Sequence, residues 1–399
     1  MDFATILAFF AAIWWLLAVG VLFGSILGSF VQPLVQRARG RSDAMPPVSA
    51  VLPIKLLTPP FMVAQDSIFQ QDYPDYEVLV GAAEVSSPAL DAMQQLIAAH
   101  PERATQIIHS PARSATSPKL NVLAAPLAAA RHDVILIKDA HMTLQPDRMR
   151  AVLENLMPGV GLVSAVPLAV RPSSLAGRIE VMIINGYARF LLSASSVGIG
   201  FGVGKVMLFR RSDLAKAGGI EAMGYTLAED SAISKGLAKI GLKTVFAHCT
   251  VDEEIGMRTF AEVYNRQARW CVLRREQEFR TFIFEPVNSP LVASCAAVLA
   301  APLVGLSGLP AFALTFIGWF AAEVAFTAFK GWDVSASAPL AFIGREIVSL
   351  AAWARAWRAQ DVVWANGRFT VDAKTGSTRA LSLNESAEEP VAYPRRSAR

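Results

Sequence analysis

Cysteine is nearly missing from this chain: Cys249, Cys271 and Cys295 are its three in 399 residues. They show no metal-ligand spacing and form no framework, so reduced thiols facing a cytosol are the expectation. Charge is scarce as well. Asp, Glu, Lys and Arg make up 18% of the residues, and the net charge is +4, with the basic residues in local clusters. A nucleic-acid binder needs a broad basic face, so that class is set aside; small clusters suit anionic headgroups and substrate phosphates. No internal repeat is present.

What the chain has in quantity is apolar surface. A hydrophobic fraction of 53% and a mean hydropathy of +0.38 are too high for a plain soluble enzyme. That balance suits a soluble-type domain carrying several membrane helices, and the length allows a packed core. Phe3 to about Val31 is almost wholly apolar, with Trp14 and Trp15 inside it. Its length, roughly 25 to 30 residues, exceeds a signal-peptide core and matches a spanning helix. Arg37, Arg39 and Arg41 follow at once, which puts the downstream domain in the cytoplasm and the amino terminus outside. Val287–Leu306 and Pro310–Phe329, joined by Ser307-Gly308-Leu309, read as a transmembrane hairpin. Glu323 in the second arm either pairs within the bundle or faces headgroups. Ala338–Trp357 carries Arg345, Glu346 and Arg355, and reads as a third span or as an interfacial helix. The tail after Val371 is polar, and disorder is expected there.

Between these segments strands alternate with helices. Val48–Ile54, Val78–Ala82, Gln106–His109, Val134–Ile137 and Gly161–Val166 read as strands; Ala89–Ala99 and Leu120–Ala130 read as helices. The alternation implies an α/β fold with a parallel sheet covered on both faces. Ligands gather at the carboxyl ends of such strands, where Glu84 and Asp139 fall. Ile179–Phe209 is apolar and carries the run Gly198-Ile199-Gly200-Phe201-Gly202-Val203-Gly204-Lys205. With no Ser or Thr after the lysine, the run departs from a phosphate loop. Backbone lining an acceptor pocket, or tight packing at the membrane surface, is the expectation.

The chemistry concentrates in Gly224–Trp270. Glu229 and Asp230 stand together where a helix begins, and Arg266 and Arg269 lie three apart, hence on one helical face. A carboxylate to take a proton and guanidinium groups to hold phosphate equip a site for transfer from a phosphate-activated donor. Read alone, paired acids at a helix start also stabilise the helix dipole, and a basic helix can lie at an interface.

Gly204-Lys205, Phe209-Arg210-Arg211, Ala217-Gly218-Gly219, Leu227-Ala228-Glu229-Asp230 and Arg266-Gln267-Ala268-Arg269-Trp270, in that order, resemble the ceramide glucosyltransferase family (family 21 glycosyltransferases), whose bacterial members include hopanoid-modifying enzymes. Ser117-Pro118-Lys119-Leu120-Asn121 resembles that family's Asn-Pro-Lys-x-Asn element, and Arg345-Glu346 with Trp364 its carboxyl-terminal signature. The resemblance implies a GT-A nucleotide-sugar (Rossmann-like) domain with transmembrane helices, an inverting mechanism and a UDP-sugar donor. It implies Asp230 as catalytic base with Glu229 beside it. Arg266 and Arg269 would meet the leaving diphosphate, and Trp270 the sugar, the acceptor or the membrane edge. Arg274 and Arg275 are expected to meet headgroups.

The first half departs from the family pattern. Glu84 stands where an aspartate would contact uridine, and the metal-binding Asp-x-Asp becomes Asp139-Ala140-His141. His141 is a poor Mg²⁺ ligand but acceptable to Mn²⁺. A Mn²⁺ preference, charge supplied by Lys119 or Lys138, or loss of activity all stay open; Lys119 is assigned to donor binding. The expected organisation is a membrane helix over 1–34, a cytoplasmic catalytic domain over 46–286, a hairpin over 287–330, a membrane or interfacial helix with the last motif over 338–371, and a polar tail over 372–399. The reading is a multi-pass enzyme of a bacterial inner membrane that moves a hexose from a UDP-sugar to a lipid hydroxyl, with ceramide or a hopanoid as acceptor. Its rivals are a hopanoid-lipid N-acetylglucosaminyltransferase, a processive polysaccharide synthase and a silent lipid-binding homologue.

Overall fold

The computed structural model describes residues 2–111, 116–364, 367–371 and 378–383. At its centre is a sheet of β1 (Val48–Pro53), β2 (Tyr76–Ala82), β3 (Thr105–His109), β4 (Val134–Lys138), β5 (Met142–Thr143), β6 (Val160–Pro172), β7 (Val206–Arg210) and β8 (Lys243–Gly256). The spatial order is β3-β2-β1-β4-β7-β6-β8-β5. The apolar runs of the central strands are buried on both faces, as in sheets with helices above and below. Ala50, Leu52, Val78, Val80 and Leu136 pack on one side, and Val51, Leu79, Ile135 and Ile137 on the other.

The four strands β3, β2, β1 and β4 are parallel, and so are β6 and β8. The expected all-parallel sheet is broken at β7, which runs antiparallel to both β4 and β6, and at β5, antiparallel to β8. The cause at β7 is the route of the chain. It re-enters the sheet at the carboxyl edge of β4, where Val206 pairs with Lys138, so it can only run back. That reversal sets Lys205 beside Asp139, whose N–H donates to the Lys205 carbonyl at 2.9 Å.

Two helices, Phe3–Arg39 and Gly308–Phe329, are long and apolar enough to cross a membrane. The first has 37 residues, well beyond the ~20 that span a hydrocarbon core, and it continues into Arg37 and Arg39. The first arm of the expected hairpin is different. Over Val287–Leu306 the run is broken: a helix of 11 residues, Pro290–Ala300, lies in the segment Pro290–Val304, which bends by 69° from Phe279–Asn288, and the two segments together are apolar enough for one bent span or a re-entrant loop. Pro286, Pro290 and Pro302 each remove a backbone donor, which breaks the run.

Helix Ala338–Ala356 packs along Phe260–Gln277 and Leu175–Ser196, with Arg345 and Glu346 buried. A small antiparallel sheet follows: β9 (Asp361–Trp364), β10 (Gly367–Val371) and β11 (Thr378–Leu383). Disorder after Val371 therefore does not hold for Thr378–Leu383. Thr378 donates its N–H to the Tyr225 carbonyl at 2.8 Å, and its hydroxyl accepts from the Leu227 N–H at 3.3 Å, so this strand is tied down. Residues 372–377 and 384–399 of the expected tail lie outside the described residues.

Candidate active site

Four short-range features of the sequence bring the site together. Ser117 caps helix Pro118–Ala129 by accepting the Leu120 N–H, and Pro118 fits the first turn, so Lys119 projects from the helix start. Asp139 follows the end of β4. Glu229 and Asp230 open helix Glu229–Lys239, where acids favour the dipole. Thr259 and Glu262 form a capping box that starts helix Phe260–Gln277 and sets the face carrying Arg266 and Arg269.

Lys119 is the hub. Its Nζ lies 2.6 Å from Asp139 Oδ1 and 3.1 Å from Glu229 Oε1, and donates to the Gly204 carbonyl at 2.7 Å. Burial alone would lower this ammonium's pKa, but Asp139 and Glu229 outweigh it and hold it above its ordinary value. Asp230 takes a different set of partners. Its Oδ2 accepts from the Gly204 N–H and its Oδ1 from the Ser231 N–H, both at 2.8 Å. Burial raises the pKa of Glu229, with Lys119 opposing and Asp230 adding to the rise. Burial raises Asp230 too, against the Ser231 N–H, Lys119 and the Gly204 N–H.

A cationic cluster adjoins these acids. Lys205 meets Glu253 at 2.7 Å, and Arg266 meets Glu253 at 3.1 Å and Glu180 at 3.0 Å. Arg258 meets Glu180 at 3.3 Å. Burial would raise Glu253, but Lys205 and Arg266 pull it down to about 2. Arg269 is drawn to about 10 by burial and by Arg266, while Glu229 and Glu180 oppose the fall. Its sensitivity to Glu229 links the cationic cluster to the acids. A guanidinium lowered by a second guanidinium marks a place that gains from an anion.

The remaining expectations fall in different places. Trp270 packs inward on Ala169, Val181, Ile184 and Ile255, with Lys205 and Arg266 at 5.6 and 5.2 Å from its ring centre. It is a cation–π platform that holds both charges in position. Glu84 is exposed, and the charge it acts on is Lys55. Lys138 is buried on the sheet with no hydrogen-bond partner for its Nζ among the described residues, and burial lowers it to about 7, so Lys119 is the lysine that meets Asp139. Arg274 and Arg275 do not reach outward as expected. Arg274 binds Glu285 and stacks on Tyr187, and Arg275 binds Glu276 and the Ala356 carbonyl. Both are internal clamps, because the half-buried acids Glu276 and Glu285 lie within their reach.

Asp139 and His141 as arranged do not fit a divalent ion. Lys119 occupies Asp139, and His141 Nδ1 lies 3.2 Å from the Thr58 hydroxyl. Burial, Arg266, Lys205 and Arg258 push the imidazole to about 3, so it is neutral in a cationic setting. Among the described residues no group of three or more His, Cys, Asp or Glu could hold a metal ion. Sequence reading missed Glu180, Glu253 and Arg258 and gave Lys205 no role. The available signal was acid within otherwise apolar runs: Glu180 in Ile179–Ile184, and Asp252-Glu253-Glu254 between Val251 and Ile255.

Acids and cations gathered at the carboxyl edge of a mixed α/β sheet, with apolar helices alongside, are the marks of a GT-A glycosyltransferase. The chain belongs to glycosyl transferase family 21, whose pattern matches residues 12–377. It is similar to ceramide glucosyltransferase 1 of Caenorhabditis elegans, 23% identical over 82% of this chain and 72% of that protein. It is also similar to the ceramide glucosyltransferase of Komagataella phaffii, 26% identical over 52% of this chain and 46% of that one. In fold it is similar to a mannosyltransferase from Pyrobaculum calidifontis in complex with GDP-Man and Mn²⁺. The TM-score is 0.51 and the identity 20%, with 85% of this chain and 99% of that chain covered.

Proposed function

We propose that this glycosyltransferase is a membrane-bound, inverting enzyme that moves a hexose from a UDP-sugar to a lipid hydroxyl. Ceramide is the favoured acceptor, given the activity named for two relatives; a hopanoid is the second choice. The observation that carries the reading is the unlike treatment of two neighbouring acids. Glu229 is ion-paired to Lys119, whereas Asp230, among the described residues, accepts from the backbone N–H groups of Gly204 and Ser231. Asp230 thus keeps lone pairs for an incoming hydroxyl and has a raised pKa, as suits a general base.

Asp230 takes the proton of the lipid hydroxyl as that oxygen attacks the anomeric carbon from the face opposite the diphosphate. Lys119 fixes Glu229 and Asp139 around it, and so holds the base in position. Arg269 meets the charge that develops on the departing diphosphate, while Arg266 and Lys205, tied to Glu253, keep that wall positive. Glu84 and Lys55 lie toward the nucleobase end by their position after β2 and β1. No step is assigned to a metal ion. The domain runs over 46–286, faces the cytoplasm and lies beside the helices at either end of the chain; the basic Arg37, Arg39 and Arg41 support that orientation.

The test is UDP release and glycolipid formation by the purified protein in vesicles, with ceramide or hopanoid and UDP-glucose or UDP-N-acetylglucosamine, with and without Mn²⁺. A glycolipid whose formation needs Asp230 is the expected result. No release above background with any pair would favour a silent lipid-binding homologue.

A further inference from the structure

The loop from Val197 to Lys205 has two unlike edges. Gly200 and Gly202 face the protein so closely that a Cβ on Gly200 would lie 2.3 Å from the Thr244 carbonyl oxygen, and one on Gly202 2.0 Å from that of Asp230. Nothing larger than glycine fits there. The alternate residues point the other way. Val197, Ile199 and Phe201 are 71%, 57% and 46% exposed, and the Phe201 ring meets that of Phe246 nearly at right angles. The loop is therefore a thin strip, glued by glycines to the first turn that carries Asp230 and apolar on its outer side.

Its position says what the outer side meets. Immediately before the loop, Ser195 accepts from Gln36 at 2.8 Å, and its carbonyl accepts from Arg39 at 3.0 Å. An Arg39 nitrogen lies 3.2 Å from where a Cβ of Gly198 would be. Both residues belong to the basic end of the long apolar helix Phe3–Arg39. The second apolar helix ends beside an earlier turn of the first, since Lys330, its carboxyl cap, donates to the Ser29 carbonyl at 2.8 Å, ten residues or ~15 Å before Arg39. Lys330 after the second apolar helix, and Arg37, Arg39 and Arg41 at and after the end of the first, mark the headgroup side of a bilayer.

We infer that Val197, Ile199 and Phe201 enter the lipid surface around these helices and hold the Asp230 turn against the bilayer, where a lipid hydroxyl can reach it. The inference rests on the membrane reading above and adds the contact through which the acceptor's surface is engaged. Large apolar side chains in the headgroup zone with basic residues beside them are the composition of interfacial anchors.

Two measurements test it on the full-length protein in phosphatidylcholine vesicles containing phosphatidylglycerol. In a Cys295→Ser background, Ile199→Cys carries a polarity-sensitive fluorophore. Its emission should shift to the blue and be quenched by lipids brominated near the headgroup. Unquenched, water-like emission overturns the inference, and so does shielding that persists in detergent and grows with protein concentration, which would mean a second copy of the chain. In the second arm Val197→Asp and Ile199→Asp should lower transfer to bilayer-embedded ceramide about ten-fold. Transfer to a dispersed short-chain ceramide should stay within about two-fold. Equal loss with both acceptors overturns the inference. If the unaltered protein transfers to no lipid, the functional reading fails, while the fluorescence arm still decides the contact.

Discussion

The molecule holds two buried acid–base networks, and they are built to opposite rules. Beneath the helices near the carboxyl end, Glu323 has every oxygen engaged: Arg189 at 2.8 Å and Trp319 at 3.2 Å on one, Arg345 at 2.6 Å on the other. Glu346 is equally occupied, by Arg345 at 3.1 Å and by the Ser289 hydroxyl at 2.5 Å. Of the two earlier possibilities for Glu323, pairing inside the bundle is the one observed. At the carboxyl edge of the sheet, Asp230 meets no side-chain cation at ion-pair distance among the described residues and keeps a raised pKa. A closed network holds helices together. An open one, next to a saturated lysine, keeps a carboxylate available for chemistry.

The contrast can be broken at several points. The largest effect is expected for Asp230→Asn, with transfer falling about 10²–10⁴-fold. Stability should move the other way. A carboxylate whose folded pKa is raised costs stability above that pKa, and the cost fades as pH falls, so the neutral amide should leave the melting temperature at pH 7 unchanged or higher. For the same reason kcat/KM should rise with pH through an inflection above the ordinary range of aspartate, as the pH–rate profile would reveal. Glu253 has the opposite sign. Its lowered pKa of about 2 gives stability that is present above the unfolded value near ~4.3 and lost as pH drops toward 2, so thermal scans of Glu253→Gln and the parent should converge in acid.

Glu323→Gln tests the closed network. It leaves Arg189 and Arg345 without their shared counter-charge and should cost about 3–5 kcal/mol, seen as lower melting and yield, while the folded fraction keeps its specific activity. A large loss of kcat in well-folded protein would erase the distinction between the two networks. Lys119→Gln opens the catalytic side further by releasing Asp139. Mn²⁺ binding, read by its paramagnetic resonance, should tighten about ten-fold. The smallest change is expected for Arg274→Lys, which keeps the charge but loses the forked contact to Glu285; about 1 kcal/mol of stability and no change in rate should follow.

Much of this was legible in the sequence, for identifiable reasons. The first four parallel strands are local patterns of apolar residues, and local patterns need no knowledge of distant contacts. The acids at 229 and 230 and the arginines at 266 and 269 could be singled out because their spacing already implies a shared helix turn or face. The direction of β7 could not be read, because it depends on where a 22-residue helix, Leu175–Ser196, delivers the chain. The bend at Pro290 was hidden by hydropathy, which averages over prolines. The contacts of Trp270 with Lys205, of Arg274 with Glu285 and of His141 with Thr58 join different elements of the chain, and no sequence spacing announces such pairs.

The hydrogen bonds from β11 to Tyr225 and Leu227 have a bearing on how the protein is made. They fasten the segment just ahead of Glu229 to a strand some 150 positions further on, at Thr378. A nascent chain emerges from the ribosome in order, so the turn that bears the proposed base waits until the chain has grown past Thr378 before it acquires this clasp. Variants shortened before that strand, or burdened there with a bulky fusion, should therefore report on assembly of the catalytic corner.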